Sequence, residues 1–160
     1  MNRPDVDLAP MTEADYVHFK DRVIRDYAEE SVVAGRTDDE SALEWARKET
    51  EKFLPDGIST KDMLLLRIVS HQHPGVTLGT IWCGKDSNNP ANAFIYDLFL
   101  YPEHRGQGHG TAAMTKLESV LREDGYKAVG LHVYAHNQAA ANLYRKLGYN
   151  ATSLNLRKEL

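Results

Sequence analysis

The sequence lacks cysteine pairs and long apolar runs. Its one cysteine, Cys83, cannot form an intrachain disulfide bond, which favours a reducing compartment. No run approaches the roughly 18 consecutive apolar residues that a membrane-spanning helix needs. The N-terminal stretch has no apolar signal core, because Asp5 and Asp7 interrupt it. We therefore expect a soluble, cytoplasmic protein with no membrane partner.

An excess of positive charge is also missing. The chain has 19 Lys and Arg residues against 23 Asp and Glu residues, a formal net charge of −4. Binding to nucleic acid without sequence preference needs a basic face, so we expect no nucleic-acid partner. The 160 residues, 42% of them apolar and 26% charged, correspond to one globular domain spanning residues 1–160.

The hydrophobic pattern predicts a mixed α/β domain, because helical and strand-like periodicities alternate along the chain. The predicted elements, in chain order, are a strand at 6–8, helices over 13–34 and 38–54, strands over 63–69, 76–83 and 93–100, a helix ending near 124, a strand over 128–134, a helix over 137–147 and a last strand over 149–156. Thr12 followed by Asp15 indicates a capped start of the first helix, and Gly35 indicates its end.

The turn between the third of these central strands and the next helix is rich in glycine. Gly106, Gly108 and Gly110 alternate there, and Arg105 precedes them. Glycines let the main chain approach a ligand closely, and the helix that follows points free N–H groups and its positive dipole end at the turn. This pattern predicts a cradle for a phosphate or pyrophosphate, although a tight strand-to-helix connection would show the same glycines.

Two other phosphate-binding motifs are disfavoured. The P-loop spacing G-x-x-x-x-G-K-[ST] does not occur in the chain. The run Gly108–Ala113 fits the dinucleotide fingerprint G-x-G-x-x-A, but the next strand ends near Tyr134 and His136 without the acidic residue that would hold a ribose. A nicotinamide cofactor is therefore not expected.

A second segment follows the next strand. Asn137 and Tyr144 lie seven residues apart, about two helical turns, so both project along one side of the predicted helix. Taken alone, Asn137 is explained as a helix cap and Tyr144 as a residue at the edge of the core.

Together the two segments resemble the signature of the Gcn5-related N-acetyltransferase (GNAT) family. The matching residues are Arg105-x-x-Gly108-x-Gly110 and Asn137-x-x-Ala140-x-x-Leu143-Tyr144-x-Lys146-x-Gly148-Tyr149, preceded by Asp97-Leu98-Phe99-Leu100-Tyr101-Pro102. The acidic helical pair and the ending Lys158-Glu159-Leu160 further resemble a YycN-like bacterial branch. The resemblance implies a central, mostly antiparallel sheet of about six to seven strands, with a splay between strands four and five and about four flanking helices.

The resemblance also implies acetyl-coenzyme A as cosubstrate, coenzyme A as product and direct acetyl transfer to a primary amine of a small molecule or peptide. Tyr144 would be the general acid and Asp97 a candidate base. Glu29 and Glu30 near the end of the first helix, which would wall the acceptor site, are alternative bases, and a base acting through a water molecule is left open. The expected cofactor-binding residues are Leu98, Phe99, Leu100, Arg105, Gly106, Gln107, Gly108, His109, Gly110, Thr111, Asn137 and Tyr144.

Four further expectations concern the alternative function, the oligomeric state, metals and the acceptor. The alternative function is a non-catalytic sensor that binds acyl-coenzyme A without turnover, and a homodimer is left open. The seven histidines have no spacing typical of a metal site, so no metal is expected. Residues 12–52 hold 12 acidic and 7 basic side chains, which would favour a cationic acceptor if part of that excess faces the cleft.

Overall fold

The computed structural model describes residues 4–160 and contains one five-stranded sheet with four α-helices. The strands are β1 (Val6–Pro10), β2 (Met63–Ser70), β3 (Thr77–Lys85), β4 (Ala93–Leu100) and β5 (Val129–Leu131). The helices are α1 (Glu13–Val33), α2 (Ala42–Phe53), α3 (His109–Glu123) and α4 (Gln138–Lys146). The mixed α/β class and the order of elements as far as α4 agree with the sequence-based prediction.

The start of α1 forms as the sequence predicts. The Thr12 hydroxyl accepts a hydrogen bond from the main-chain N–H of Asp15, and the Asp15 carboxylate accepts one from the N–H of Thr12, at 2.7 Å. This reciprocal capping satisfies two N–H groups that the helix leaves unpaired. At the other end, Gly35 adopts a φ of +69°, which a glycine reaches without steric cost.

The sheet is covered on both faces. Strands follow the order β1-β2-β3-β4-β5, antiparallel except for the parallel pair β4–β5. Met114 and Leu117 of α3 pack with Ile81 on one face, while Phe19 of α1 packs with Trp82 on the other. Successive residues of β3 are therefore buried on opposite sides, as expected for a central strand.

An irregularity in β4 opens the sheet. Trp82 lies opposite Asp97 and Cys83 opposite Ile95, so Tyr96 is an extra residue in β4. Such a bulge bends the strand. Beyond it, β4 separates from β5, because the pairing between the two ends at Ile95 and Leu131. This separation is the splay between strands four and five that the resemblance implied.

The strand count of six to seven is too high. Residues 149–156, expected to form a last strand, have no strand partner, and Leu154 and Leu156 are 81% and 93% exposed. Their alternation of apolar and polar residues imitates a strand, but burial against a neighbour is what stabilises one. The strand expected over 128–134 is limited to Val129–Leu131, because β4 bends away from it.

Candidate active site

The glycine turn forms a cluster of unpaired main-chain donors. Gly106 and Gly108 have φ values of +69° and +86°, and Gly108 caps the N-terminus of α3. Within residues 4–160, no main-chain N–H from Gly106 to Thr111 has a hydrogen-bond acceptor in the protein. Six free donors at the positive end of a helix fit a pyrophosphate, as the sequence predicts.

Side chains of the turn differ in their orientation. The Arg105 Nε donates to the carbonyl oxygen of Leu100 at 2.8 Å, which leaves its Nη groups for an anion. The Gln107 amide donates to the carbonyl oxygen of Glu103 at 2.8 Å, and neither Gln107 nor His109 lines the cleft described below. Burial lowers the pKa of His109, and the nearby His104 lowers it further, so His109 is neutral at pH 7.

The turn opens into a cleft of about 1050 Å³ that follows the splay of the sheet. We call its two halves the cofactor end and the acceptor end. The cofactor end is lined by Leu98, Phe99, Leu100, Arg105, Gly106, Gly108, Gly110, Thr111, Asn137 and Tyr144. The acceptor end is lined by Arg22, Asp26, Tyr27, Glu30, Arg36, Glu49, Phe53, Tyr96 and Asp97. Ten of the twelve expected cofactor-binding residues therefore line this cleft.

Helix α4 contributes two residues to the cofactor end. The Asn137 side-chain oxygen accepts a hydrogen bond from the N–H of Ala140 at 3.1 Å, so Asn137 is a helix cap as well as a cleft residue. Burial, aided by the negative charge of Asp97, raises the pKa of Tyr144 to about 12. The Tyr144 hydroxyl is therefore protonated throughout the neutral range and available as a proton donor.

Asp97 is held by an ion pair. Arg22 Nη2 donates to one carboxylate oxygen of Asp97 at 2.6 Å, and Nη1 donates to the other at 3.2 Å. Burial raises the pKa of Asp97, while the charge of Arg22 opposes that shift. Because both oxygens are engaged, the geometry does not favour Asp97 as the base. Arg22 lies 75 positions from Asp97, and no motif in the sequence indicates that the two residues meet.

The two glutamates expected at the acceptor site are placed differently. Glu30 is half-buried and lines the cleft, whereas Glu29 is exposed and does not. Burial raises the pKa of Glu30, and the protonated form of His136 would lower it. Asp26 and Glu49, which sequence analysis did not single out, also line this end. The excess of acidic residues predicted for the helical pair thus reaches the cleft in part.

Residues 4–160 contain neither a metal-binding cluster nor a membrane-spanning helix. No three or more His, Cys, Asp and Glu side chains are grouped so as to hold a metal ion. No helix of that region is long and apolar enough to cross a membrane. Cys83 is fully buried, and burial raises the pKa of its thiol to about 12, so it is not an acyl-carrying nucleophile.

Comparison with known proteins decides the family. The model of the acetyltransferase (GNAT) family matches residues 36–149. The chain belongs to that family. It is 32% identical to the uncharacterized N-acetyltransferases YdgE and YycN of Bacillus subtilis, in each case over 96% of this chain and 97% of the relative. The GNAT family model and these relatives identify the chain as an acetyltransferase, and they do not favour the sensor alternative.

A solved structure supports the same assignment. A crystal structure of YycN from Bacillus subtilis, described as a candidate acetyltransferase, superposes on this GNAT chain with a TM-score of 0.90. It is 31% identical and covers 97% of this chain and 98% of its own length. The resemblance to a YycN-like branch is therefore confirmed. A shorter match, 34% identical over 42% of this chain and 36% of the relative, is to the thialysine N-ε-acetyltransferase of Mus musculus.

Proposed function

We propose that this GNAT protein transfers the acetyl group of acetyl-coenzyme A directly to a primary amine of a small molecule or peptide. The observation that carries the proposal is that the unpaired N–H groups of the glycine turn and the Tyr144 side chain line one continuous cleft. The N–H groups fit a pyrophosphate, and Arg105 adds a charge-assisted bond beside them. When bound, acetyl-coenzyme A supplies an activated acetyl thioester.

The unpaired half of β4 orients the rest of the cosubstrate. Leu98 and Leu100 pair with β3 on one side only, since β5 has separated from the strand at this level. Their free main-chain groups would bind the amide groups of the pantetheine arm in the manner of an added strand. One acceptor there is already used, because Arg105 bonds the carbonyl oxygen of Leu100. Asn137 and Tyr144 line the same cleft.

Two protons have to move during the reaction. An amine with a pKa near 10 is neutral only about one part in a thousand of the time at pH 7, so its deprotonation costs about 4 kcal/mol. We propose that a water molecule relays this proton to Glu30, a carboxylate of the acceptor end whose pKa is raised by burial. As the amine nitrogen bonds to the acetyl carbon and the carbon–sulfur bond breaks, Tyr144 Oη donates a proton to the departing sulfur. The nitrogen gives up its second proton to become a neutral amide, and this proton restores the Tyr144 hydroxyl.

Isothermal titration calorimetry with coenzyme A and acetyl-coenzyme A tests the binding step, and thiol release in the presence of an amine panel tests the transfer. Binding together with amine-dependent thiol release is the expected result. Binding without turnover on any amine would support the sensor alternative instead. No binding of either ligand would refute both functions.

The thialysine N-ε-acetyltransferase relative acts, by its name, on an amine at the end of a side chain, which supports including lysine-like amines in the panel. The acidic residues of the acceptor end favour amines with a second positive charge. Diamines should therefore be compared with monoamines of the same chain length.

A further inference from the structure

Arg22 is the most highly connected charged side chain of the cleft. Besides the two bonds to Asp97, its guanidinium donates to the Asp26 carboxylate at 2.9 Å and to the Thr80 hydroxyl at 3.2 Å. Its carbon Cζ lies 4.1 Å from the centre of the Phe99 ring. Only 14% of the Arg22 side chain is exposed. These contacts fix the planar guanidinium group of Arg22 in one orientation. A lysine has a single ammonium group and could not make the same set of hydrogen bonds.

Arg22 contacts β4 directly after the bulge that bends this strand. Asp97 is the first residue after the bulge at Tyr96, and Phe99 lies two residues further along the same strand. Thr80 belongs to β3, on the paired side of β4. Arg22 therefore fastens helix α1 to the segment Asp97–Leu100, which β5 no longer supports. That segment is the one proposed to bind the pantetheine arm.

Arg22 is the only cation paired with Asp97 among residues 4–160. The other titratable neighbours of Asp97 supply no positive charge, because Asp26 and Glu30 of α1 are acidic and Tyr144 of α4 is neutral. A buried carboxylate without a partner costs several kcal/mol and takes up a proton instead. Removal of Arg22 would therefore favour the protonated form of Asp97, because burial raises its pKa and the opposing charge of Arg22 would be gone.

We propose that Arg22 is a positioning residue for the transfer reaction, which acts through Asp97 to fix the unpaired half of β4 in the geometry that binds the cosubstrate. Asp97 is then an anchor and not the base that accepts the proton of the amine. This inference rests on the proposed function, since it assumes that coenzyme A binds along β4.

The test compares coenzyme A affinity and turnover in four variants, Arg22→Gln, Arg22→Lys, Asp97→Asn and the double variant Arg22→Gln/Asp97→Asn. Arg25→Gln is the matched control, because Arg25 lies on the same helix, is exposed and has no ion pair among the described residues. The dissociation constant is measured by calorimetry from pH 5.5 to 8.5. Thermal unfolding establishes that each variant is folded.

Arg22→Gln should weaken coenzyme A binding about tenfold at pH 7.5, because the segment that binds the pantetheine arm loses the contact that fixes its orientation. It should also introduce an ionisation into the pH dependence of affinity, since burial raises the pKa of Asp97 and the opposing charge of Arg22 is gone. That ionisation should disappear in the double variant and be absent in Arg22→Lys, which keeps the charge. A role confined to folding stability would not produce this pattern.

Two results would overturn the inference. One is an unchanged dissociation constant in folded Arg22→Gln; the other is a loss of turnover of about 100-fold in Asp97→Asn with unchanged affinity, as a general base requires. If Arg22→Gln does not fold, Asp97→Asn and Arg22→Lys decide, and both should weaken affinity more than they lower kcat. Failure of the wild-type chain to bind coenzyme A would instead refute the proposed function.

Discussion

The two ends of the cleft are built from different parts of the chain. At the cofactor end the groups proposed to bind the cosubstrate are mainly main-chain groups, namely the N–H groups from Gly106 to Thr111 and the unpaired half of β4. At the acceptor end they are side chains of α1 and α2, including Asp26, Glu30 and Glu49. Main-chain groups are the same for every residue type, so the cofactor end is defined by where glycines permit a close approach. The chemistry of the acceptor end changes with each side-chain substitution, so we expect substrate preference to be set there.

The largest effect is expected where the two ends meet, at Tyr144. Tyr144→Phe should lower turnover by about 100-fold or more, because it removes the proton donor to the sulfur. The dissociation constant for coenzyme A should stay within about twofold, since the ring remains. Steady-state kinetics and calorimetry measure the two quantities.

The control for Tyr144 is Tyr149→Phe. The two rings pack at 5.6 Å, but the Tyr149 hydroxyl donates to Glu118 at 2.9 Å and does not line the cleft. Tyr149→Phe should therefore leave turnover nearly unchanged. Equal losses in the two variants would mean that the packing of the pair, and not the Tyr144 hydroxyl, supports the reaction.

The second prediction concerns a substitution that perturbs only the cofactor end. Gly108→Ala should weaken coenzyme A binding about tenfold, because an alanine at a φ of +86° costs about 1–2 kcal/mol and moves the N–H groups of the turn. A Cβ there would also lie 3.3 Å from the ring of Pro4. Calorimetry measures the affinity, and denaturant unfolding measures the stability.

Gly125→Ala is the matched control for this change. Gly125 follows the other end of α3 at a φ of +89°, and a Cβ there would meet no atom within 4 Å. Both variants should lose a similar amount of unfolding free energy, but only Gly108→Ala should lose affinity. A comparable loss of affinity in Gly125→Ala would show that the turn acts through stability alone.

The same contrast explains what the sequence could predict. The glycine turn, the capped start of α1 and the cap at Asn137 all depend on residues close together in the chain, and each formed as expected. Arg22 and Asp97 are far apart in the chain and meet only because folding brings α1 against β4. No local sequence pattern could therefore predict this ion pair. The prediction of a last strand over residues 149–156 was wrong for a related reason. Alternation of apolar and polar residues shows that a segment is able to form a strand, but not that another strand lies close enough to pair with it.

The third prediction changes the acceptor end alone. Glu30→Gln should lower kcat for every amine, because it removes the proposed proton acceptor. It should also raise the KM for a diamine about fivefold relative to a monoamine, because a half-buried carboxylate interacts strongly with a second positive charge. Coenzyme A affinity should not change. Glu29→Gln is the control, since Glu29 is the adjacent residue but is exposed outside the cleft. Equal KM ratios in both variants would contradict an electrostatic acceptor site.

The pKa shift of Glu30 gives this variant a second signature. Burial raises the pKa of Glu30, so the folded state binds its proton more tightly than the unfolded state does. The contribution of Glu30 to stability is therefore present at low pH and decreases as the pH rises through the folded pKa. Glu30→Gln, which cannot ionise, should have a thermal midpoint at pH 7.5 equal to or above that of the wild type. A lower midpoint would show that the charge is stabilised by a partner in the folded state.

The smallest effect is expected at the contact between Tyr134 and helix α1. The Tyr134 hydroxyl lies 3.2 Å from the hydroxyl of Ser31, a fully buried residue of α1, and Arg36 lies 5.1 Å from the centre of the Tyr134 ring. Tyr134→Phe keeps the ring and removes one hydrogen bond, so it should cost about 1 kcal/mol and lower the thermal midpoint by about 2–4 °C. Tyr101→Phe, an exposed tyrosine, should not change it. The ring remains in place in Tyr134→Phe and keeps the spacing between α1 and the segment after β5. We therefore expect kcat/KM to fall less than threefold. Tyr134 lines the cleft, so a larger fall with an unchanged midpoint would mean that its hydroxyl contacts the acceptor directly.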